Sequence, residues 1–389
     1  MPPYSIMYIS NFELFPISVP YLHDERSSRV HRGGVTSIAI RLSTDDGQVG
    51  WGEACVGADA ASILSAAESA RPFLIGRSPW QNEAIARDFF GTGLWDHRAM
   101  TGNFAFAGID MALWDLCGKS CGEPIYRMLG GALRDEVDYF CYLSQGTVEH
   151  LRRECQEGVK RGHSCFYLKV GIDAEAETEM LATVRAAIGP DRKLRIDANQ
   201  AWTVPEAAQL LNEWNQAFSI DFVEAPVPVF PLANMHDLRQ RVGVSFCANE
   251  GLWTVADAYR VIRSRCADVL CFSGYWVGTL RRFHTLCQVA HLEGLAVCKH
   301  THGELGIAAA AAQHVLLAIP NACDGAQQTA AMMADDILQT PLPIASKARW
   351  GCIDGPGLGI NVSEEKIATY AELYHQQGQF LPYQSDPPQ

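Results

Sequence analysis

Short apolar runs alternate with amphipathic stretches through the second half of the chain. Each run is four to seven residues long, as in buried strands, and the stretches between them carry apolar residues at helical spacing. The predicted strands are Val137–Leu143, Cys165–Val170, Leu194–Ala198, Asp221–Glu224, Val244–Asn249, Val269–Phe272 and Leu295–His300. The predicted helices include Glu175–Ile188, Val204–Phe218, Val255–Arg263 and Leu280–Glu293. So many strand–helix units in succession predict an α/β fold with a closed parallel barrel, whose last repeat, after residue 319, is irregular.

The first half of the chain has a different pattern. Residues 1–53 are typical of strands, and Asp45-Asp46-Gly47 between two alternating apolar runs predicts a tight hairpin. Residues 58–118 have helical periodicity, and a short helix is predicted near Ser363–His375. We therefore expect a separate N-terminal domain over residues 1–135, completed by residues 355–389, and a barrel over residues 136–354.

A long polar insertion at residues 20–34 interrupts the first strands. Such an insertion predicts a mobile loop that acts as a lid in an enzyme. We assign no single contact to its aromatic, histidine and arginine residues, which are Tyr21, His23, Arg26, Arg29, His31 and Arg32.

Three predicted barrel strands each end in an acidic residue. Asp197, Glu224 and Glu250 follow one another at intervals of 27 and 26 residues (224 − 197 and 250 − 224), about one strand–helix unit. The carboxyl ends of parallel strands meet at the rim of a barrel, where active sites lie. Three like charges there would repel one another unless a cation lay between them, and oxygen ligands favour Mg²⁺ first and Mn²⁺ second. The alternative is three solvated acids at helix starts; the regular spacing favours the metal site.

Composition and charge exclude several classes of function. The net charge of −13 and pI near 5.4 argue against a nucleic-acid or polybasic membrane surface, and no apolar run reaches the roughly 18 residues of a membrane span. Thirteen scattered cysteines without a CxxC pair predict reduced, buried thiols in a cytoplasmic protein. No signal peptide is expected.

Six motifs in order and at matching spacing resemble the enolase superfamily, specifically its mandelate racemase and muconate-lactonizing branch. They begin at Ala107 (AGIDMALWDL), Pro124 (PIYRMLGG), Leu168 (LKVG), Ile196 (IDANQ), Val223 (VEAP) and Ala248 (ANE). The resemblance implies an α+β capping domain, made from both chain ends, over a modified (β/α)7β TIM-like barrel. It also implies one Mg²⁺ held by Asp197, Glu224 and Glu250, and a homo-oligomer.

The chemistry that the resemblance implies is removal of a proton α to a carboxylate, through an enediolate whose charge Mg²⁺ stabilises. Lys169, at the end of the second barrel strand, is the candidate base. Tyr167, Lys169 and Gly171 point to the same side by strand alternation. We expect nearby Mg²⁺ and an apolar strand wall to lower the pKa of Lys169.

Two positions depart from the family pattern. The family often has Lys-x-Lys on the second strand, whereas this chain has Tyr167 first, a phenol that could donate to the substrate carboxylate. Ser273 stands on the sixth strand where one branch has a second Lys and another has the Asp partner of a His. Neither the two-lysine arrangement nor the Asp–His dyad is intact, which counts against simple two-base racemisation.

The seventh strand adds titratable residues at the rim. Alternation predicts that His300, His302 and Glu304 share one face and that Lys299 lies on the other. Either histidine could be a general acid for a leaving hydroxide, and Glu304 could contact a histidine or a substrate amine. Asn199 faces the same pocket as Asp197 and could bind a ligand or water of the metal, and Ser273 is a further candidate substrate contact.

We therefore expect a Mg²⁺-dependent enzyme that dehydrates a small hydroxy acid, such as an acid sugar or cis-3-hydroxyproline. The alternatives are a racemase, epimerase or cycloisomerase of the same superfamily. More remote are an amidohydrolase-type metal hydrolase, which would need its paired histidines on the first strand, and a non-catalytic member, which would have lost Lys169 or a metal carboxylate.

Overall fold

An antiparallel sheet opens the structure, a computed structural model that describes residues 7–28, 30–57, 59–91 and 100–381. Its strands are β1 (Ile9–Arg26), β2 (His31–Thr44) and β3 (Val49–Cys55). The turn from β2 to β3 closes with Thr44 N donating to Gln48 O at 3.0 Å, and Gly47 takes a positive φ of 87°. Glycine adopts this conformation without steric cost, so the predicted hairpin is confirmed.

The insertion predicted to be a loop is mostly strand. Pairing of β1 with β2 resumes beyond Pro20, with Glu25 opposite Arg32 and Arg26 opposite His31. The polar tip is held because it lies on the barrel, where Ser28 Oγ donates to Ala198 O at 2.9 Å. Arg29 lies outside the described residues. The prediction of a loop at residues 20–34 is wrong for the residues in the ladder, whereas their role as a mobile lid stays a prediction.

Helices follow the sheet, as the periodicity predicts. They are α1 (Ala60–Glu68), α2 (Arg71–Leu74), α3 (Asn82–Gly91), α4 (Thr101–Cys121) and α5 (Ile125–Met128). Helix α4 packs against β3 so closely that the backbone at Gly108 touches the strand, with no room for a side chain between them. Most of α4 is buried, which explains why its sequence is apolar on nearly all sides.

The second half of the chain contains the barrel. The strands in this half of the chain are β4 (Glu136–Asp138), β5 (Cys141–Leu143), β6 (Cys165–Lys169), β7 (Lys193–Asp197), β8 (Ile220–Glu224), β9 (Phe246–Ala248), β10 (Val269–Phe272), β11 (Ala296–Lys299) and β12 (Arg349–Gly351). The helices are α6 (Val148–Lys160), α7 (Ala174–Ile188), α8 (Val204–Phe218), α9 (Ala233–Arg239), α10 (Val255–Ser264), α11 (Gly274–Val277), α12 (Leu280–Leu292), α13 (Gly306–Ala318) and α14 (Glu364–Gln377). Strands β5 to β11 form one parallel sheet in sequence order, which confirms the α/β barrel class.

An irregular segment at residues 321–327 closes the barrel between β11 and β5. Cys323 N donates to Val297 O at 2.9 Å on one side, and Phe140 N donates to Ala326 O at 3.1 Å on the other. This closing segment is the irregular last repeat that the sequence predicts. The predicted strand Val137–Leu143 is instead divided, because β4 pairs with β12 and only β5 joins the barrel.

Side-chain caps fix where the barrel helices begin. Asp173 accepts backbone N–H bonds at the start of α7, and Thr203 and Glu206 form a capping box at the start of α8. The side chain of Thr254 caps α10 by accepting a backbone N–H bond at its start. These caps satisfy N–H groups that have no partner within the helix and hold each strand-to-helix loop at the rim.

The end of the described chain returns to the first sheet. Helix α14 packs on β1, and just beyond it Ser18 Oγ donates to Gly378 O at 3.0 Å. Phe380 N donates to Thr36 Oγ1 at 2.8 Å. These contacts support our proposed division into a cap, residues 1–135 with 355–389, and a barrel, residues 136–354.

In the described part of the chain, no helix combines the length and apolar character needed to cross a membrane.

We predict that Gly108→Ala destabilises the contact between α4 and β3. The added Cβ would lie 2.5 Å from Ala54 N and 2.8 Å from the carbonyl carbon of Glu53, both backbone atoms that cannot move independently. The expected loss in free energy of unfolding is about 1–3 kcal/mol, measured by urea denaturation. Gly91→Ala is the matched control, since a Cβ there meets no atom of the described residues within 4 Å. Equal midpoints for the two variants would contradict the close packing.

Candidate active site

Three carboxylates lie together at the carboxyl ends of neighbouring strands. Asp197 is the last residue of β7, Glu224 is the last residue of β8, and Glu250 follows β9 by two residues. The parallel register pairs Lys169 with Asp197 and Asp197 with Glu224, so these side chains leave the sheet at the same height. Asp197 and Glu224 are completely buried.

Amide and hydroxyl donors surround the carboxylates. Asn249 Nδ2 donates to Glu224 Oε1, and Gln327 Nε2 donates to Glu224 Oε2 at 2.7 Å. Asn199 Nδ2 donates to Glu250 Oε1 at 3.0 Å. Glu250 Oε2 is buried and, within the described residues, accepts no hydrogen bond. A buried carboxylate oxygen without a partner is costly, so this atom indicates a missing positive group.

The electrostatics of the pocket indicate the same need. Burial, followed by the charge of Asp197, raises the pKa of Glu224 well above its ordinary value. The same two causes raise the pKa of Glu250 to about 7. Carboxylates that repel one another in a buried pocket are stabilised in their charged form by a cation. Every candidate ligand is an oxygen, so the chemistry of these residues fits Mg²⁺. In the described structure, however, the ligand oxygens of Asp197, Glu224 and Glu250 do not all lie within 4.8 Å of one another.

Lys169 lies beside this group at the end of β6. Its Nζ donates to Asp197 Oδ2 at 2.5 Å and to Asn199 Oδ1 at 3.1 Å. Burial alone would lower the pKa of Lys169, but Asp197 and Glu224 together outweigh burial and raise it above its ordinary value. The protein groups alone therefore raise the pKa of Lys169, whereas we predicted that nearby Mg²⁺ and an apolar strand wall would lower it.

Tyr167 points into the same pocket, as strand alternation predicts. Its hydroxyl donates to Asp197 Oδ2 at 2.5 Å, the oxygen that also binds Lys169. The prediction gave Tyr167 a substrate carboxylate as partner; here its partner is a protein carboxylate. Tyr167 therefore orients Asp197.

Strand alternation fails beyond β11, because that strand ends at Lys299 and the chain then turns, with Gly303 at a φ of 79°. Lys299 forms a buried ion pair with Glu304 and donates to Gln327 O at 3.0 Å. The prediction that Lys299 and Glu304 lie on opposite faces is wrong. Glu304 has Lys299 as its partner, where we expected a histidine or a substrate amine.

The two histidines have different surroundings. His300 Nδ1 lies 2.6 Å from the hydroxyl of Tyr275, and its ring packs on Trp276 with 4.5 Å between centroids. His302 Nε2 lies 3.3 Å from Gly57 O. Burial lowers the pKa of His300 well below its ordinary value, and burial and the charge of Arg32 lower the pKa of His302 to about 4. Both rings are therefore neutral at pH 7.

Ser273 lies between the metal-ligand candidates and His300 in strand order. It directly follows β10 and is buried at the start of α11, where its side chain makes no capping bond. Its position places a hydroxyl at the rim, next to the strand that leads to His300.

The hairpin of β1 and β2 contributes a buried ion pair to the site. Arg32 Nε lies 2.7 Å from Glu25 Oε2, and Arg32 Nη1 donates to His302 O at 3.2 Å. Tyr142 OH donates to Glu25 Oε1 at 3.4 Å. From the sequence we named Arg32 without a partner and missed Glu25, Tyr142 and Gln327. An acidic residue within a largely basic insertion was a signal for Glu25, whereas the irregular closing segment gave no signal for Gln327.

Two family models match the chain. Residues 21–130 match the mandelate racemase / muconate lactonizing enzyme N-terminal domain, and residues 150–366 match the enolase C-terminal domain-like family.

Individual proteins are also similar. The chain is 31% identical over 273 residues to L-Ala-D/L-Glu epimerase of Bacillus subtilis strain 168, covering 68% of this chain and 72% of the relative. It is 24% identical to arabinonate dehydratase of Saccharolobus solfataricus, covering 93% and 99%. The solved dipeptide epimerase of Enterococcus faecalis V583, complexed with Mg and L-Leu-L-Tyr, superposes with a TM-score of 0.84 at 24% identity, covering 91% and 100%. At that identity the likeness shows the fold.

We predict that Glu224→Gln weakens Mg²⁺ binding measured by calorimetry. An amide keeps the shape of the side chain but removes one of the negative charges, so the affinity should fall by about tenfold or more. Glu213→Gln, an exposed acid on α8, is the control and should bind as the wild type does. Equal affinities of Glu224→Gln and wild type would exclude Glu224 as a ligand.

Proposed function

Since the chain belongs to the mandelate racemase and muconate lactonizing enzyme branch of the enolase superfamily, and is an enzyme of the lyase or isomerase class, we propose that it removes the proton α to the carboxylate of a small hydroxy acid and eliminates water. The observation that carries this proposal is the position of Lys169 and His300. They flank the three carboxylates, Lys169 on β6 and His300 just beyond β11.

Asp197, Glu224 and Glu250 would hold the cation. Bound there, Mg²⁺ supplies positive charge to the substrate carboxylate as the α-proton leaves. The protein's own contribution is orientation, since Tyr167 fixes Asp197, and Asn249 and Gln327 fix Glu224. Fixed ligands need no reorganisation during the reaction.

Lys169 is the proposed base. Its Nζ is held by Asp197 and Asn199 on one side of the pocket, so its position is defined before substrate binds. The amine must be neutral to accept the α-proton, and the two carboxylates that raise its pKa disfavour the neutral form. Neutralising those carboxylates therefore favours the base form of Lys169.

His300 is the proposed general acid for the leaving hydroxyl. Tyr275 and Trp276 fix the ring of His300, whereas Nε2 of His302 already has the carbonyl oxygen of Gly57 as its partner. To donate, the ring must carry an extra proton, and its lowered pKa makes that form more abundant as the pH falls.

Epimerisation is the second candidate function. It is favoured by the similarity to an epimerase and by the same flanking arrangement, in which His300 could return a proton to the opposite face of the α-carbon. Ser273 counts against epimerisation, because it occupies the position at which one branch of the family has a second lysine.

Incubating the protein and Mg²⁺ with acid sugars and hydroxyprolines discriminates dehydration from epimerisation, since dehydration forms a keto acid and epimerisation forms a stereoisomer. Similarity to arabinonate dehydratase supports acid sugars as the first substrates to try.

We predict that Lys169→Ala abolishes exchange of the substrate α-proton in D₂O, measured by NMR, while the circular dichroism spectrum is retained. Loss of a positioned base typically costs about 10²–10⁴-fold. Lys193→Ala is the matched control, because that lysine begins β7 at the opposite end of the barrel and pairs with Asp324 at the surface. Exchange that persists in Lys169→Ala would eliminate Lys169 as the base.

We predict that His300→Asn retains α-proton exchange but loses keto-acid formation, since only the second step needs the acid. His302→Asn is the comparison and should lose less. In the wild type, keto-acid formation relative to exchange should increase as the pH falls, because the protonated fraction of His300 grows. If His300→Asn loses exchange and elimination together, while Lys169→Ala keeps exchange, the two roles are reversed.

A further inference from the structure

A row of cysteines crosses the barrel interior next to Glu224. Cys247 lies on β9, Cys271 on β10, Cys298 on β11 and Cys323 in the closing segment. The first three are buried and share a separate apolar cluster with Phe222 and Val269, with Cys323 packed against it. Barrel interiors are usually filled by branched aliphatic side chains, so four neighbouring thiols are an unusual filling.

The thiols contact one another in strand order. The sulfur atoms of Cys247 and Cys271 lie within 4.8 Å of each other, and Cys271 and Cys298 are paired in the β10–β11 register. The row begins at the carboxylates, because Glu224 and Cys247 are paired in the β8–β9 register.

One end of the row has the geometry of a metal site. A carboxylate oxygen of Glu224 and the sulfur atoms of Cys247 and Cys271 all lie within 4.8 Å of one another. Across the described ranges, this is the one group of three histidine, cysteine or acidic residues whose ligand atoms are that close. A single cation at its centre could contact all three atoms.

The charge at the two ends of the row decides where a cation would lie. At the far end, the buried guanidinium of Arg195 lies near Cys298 and Cys323 and forms an ion pair with Asp221 at 2.8 Å, so the charges there already balance. The near end has the carboxylate of Glu224 and neutral thiols. Coulomb attraction to the carboxylate of Glu224 therefore favours the near end for a cation.

We propose that Glu224, Cys247 and Cys271 form a second metal site that binds a thiophilic d¹⁰ cation such as Zn²⁺ or Cd²⁺. Thiolate ligands select such cations over Mg²⁺, which prefers oxygen. On binding, each thiol exchanges its proton for a sulfur–metal bond and the two protons pass to water. Glu224 would belong to both sites, so a thiophilic cation and Mg²⁺ compete; this competition, unlike the binding itself, rests on the proposed function.

The test is an anaerobic titration of the reduced, full-length protein with Cd²⁺. Binding to thiolates produces a sulfur-to-cadmium charge-transfer band in the ultraviolet. We expect the wild type to develop this band with one equivalent of Cd²⁺ and to release at least two protons, one from each thiol, in weakly buffered solution. Addition of Mg²⁺ should shift the titration to higher Cd²⁺ concentration.

Two variants locate the site. Cys271→Ser and Cys247→Ser replace sulfur by a hard oxygen of similar size, and each should lose most of the band. Cys117→Ser is the matched control, a buried cysteine on α4 that should keep it. Because a buried serine can destabilise, melting temperatures are measured in parallel and Cys271→Ala is titrated as well.

The outcomes separate the two proposals. No band in the wild type, or an unchanged band in the Cys247→Ser, Cys271→Ser double variant, overturns the thiophilic site. A ¹¹³Cd NMR shift typical of oxygen ligands alone also overturns it. If the wild type binds Cd²⁺ through these cysteines but shows no Mg²⁺ binding, the thiophilic site stands and the proposed function fails.

Discussion

The mutual repulsion of three buried carboxylates is the constraint on which the rest of the site depends. Asp197 and Glu224 have no contact with solvent, and Glu250 has an oxygen that accepts no hydrogen bond from the described residues. An isolated charge in such a place would be neutralised by taking up a proton. The protein instead surrounds the group with donors, a lysine, a phenol and amides, and leaves Oε2 of Glu250 without a donor among the described residues.

The barrel meets this constraint through strand register. Parallel pairing brings Lys169, Asp197 and Glu224 to one height without any specific loop conformation. The donors that fix them come from elsewhere: Gln327 from the closing segment and Asn249 from the residue before Glu250. The regular part of the fold thus sets the positions of Lys169, Asp197 and Glu224, and its irregular part supplies the donors that orient Glu224.

This division explains what the sequence could predict. Asp197, Glu224 and Lys169 end regular strands, so periodicity and spacing locate them. Lys299 and Glu304 lie where the strand ends and the chain turns, so alternation predicted opposite faces for two residues that form an ion pair. The insertion at residues 20–34 looked like a loop because its polar residues satisfy one another, as Glu25 and Arg32 do, against a surface that only the folded barrel provides. Contacts of this kind join distant segments and leave no local pattern.

The return of α14 to the first sheet has a consequence for how the molecule is made. Ser18 bonds to the carbonyl of Gly378, 360 residues later, and Thr36 bonds to Phe380. During translation the amino-terminal sheet therefore emerges long before its last partner. The sheet of β1 to β3 can make these two contacts only after residues 378 and 380 have been synthesised and the barrel strands before them have already left the ribosome.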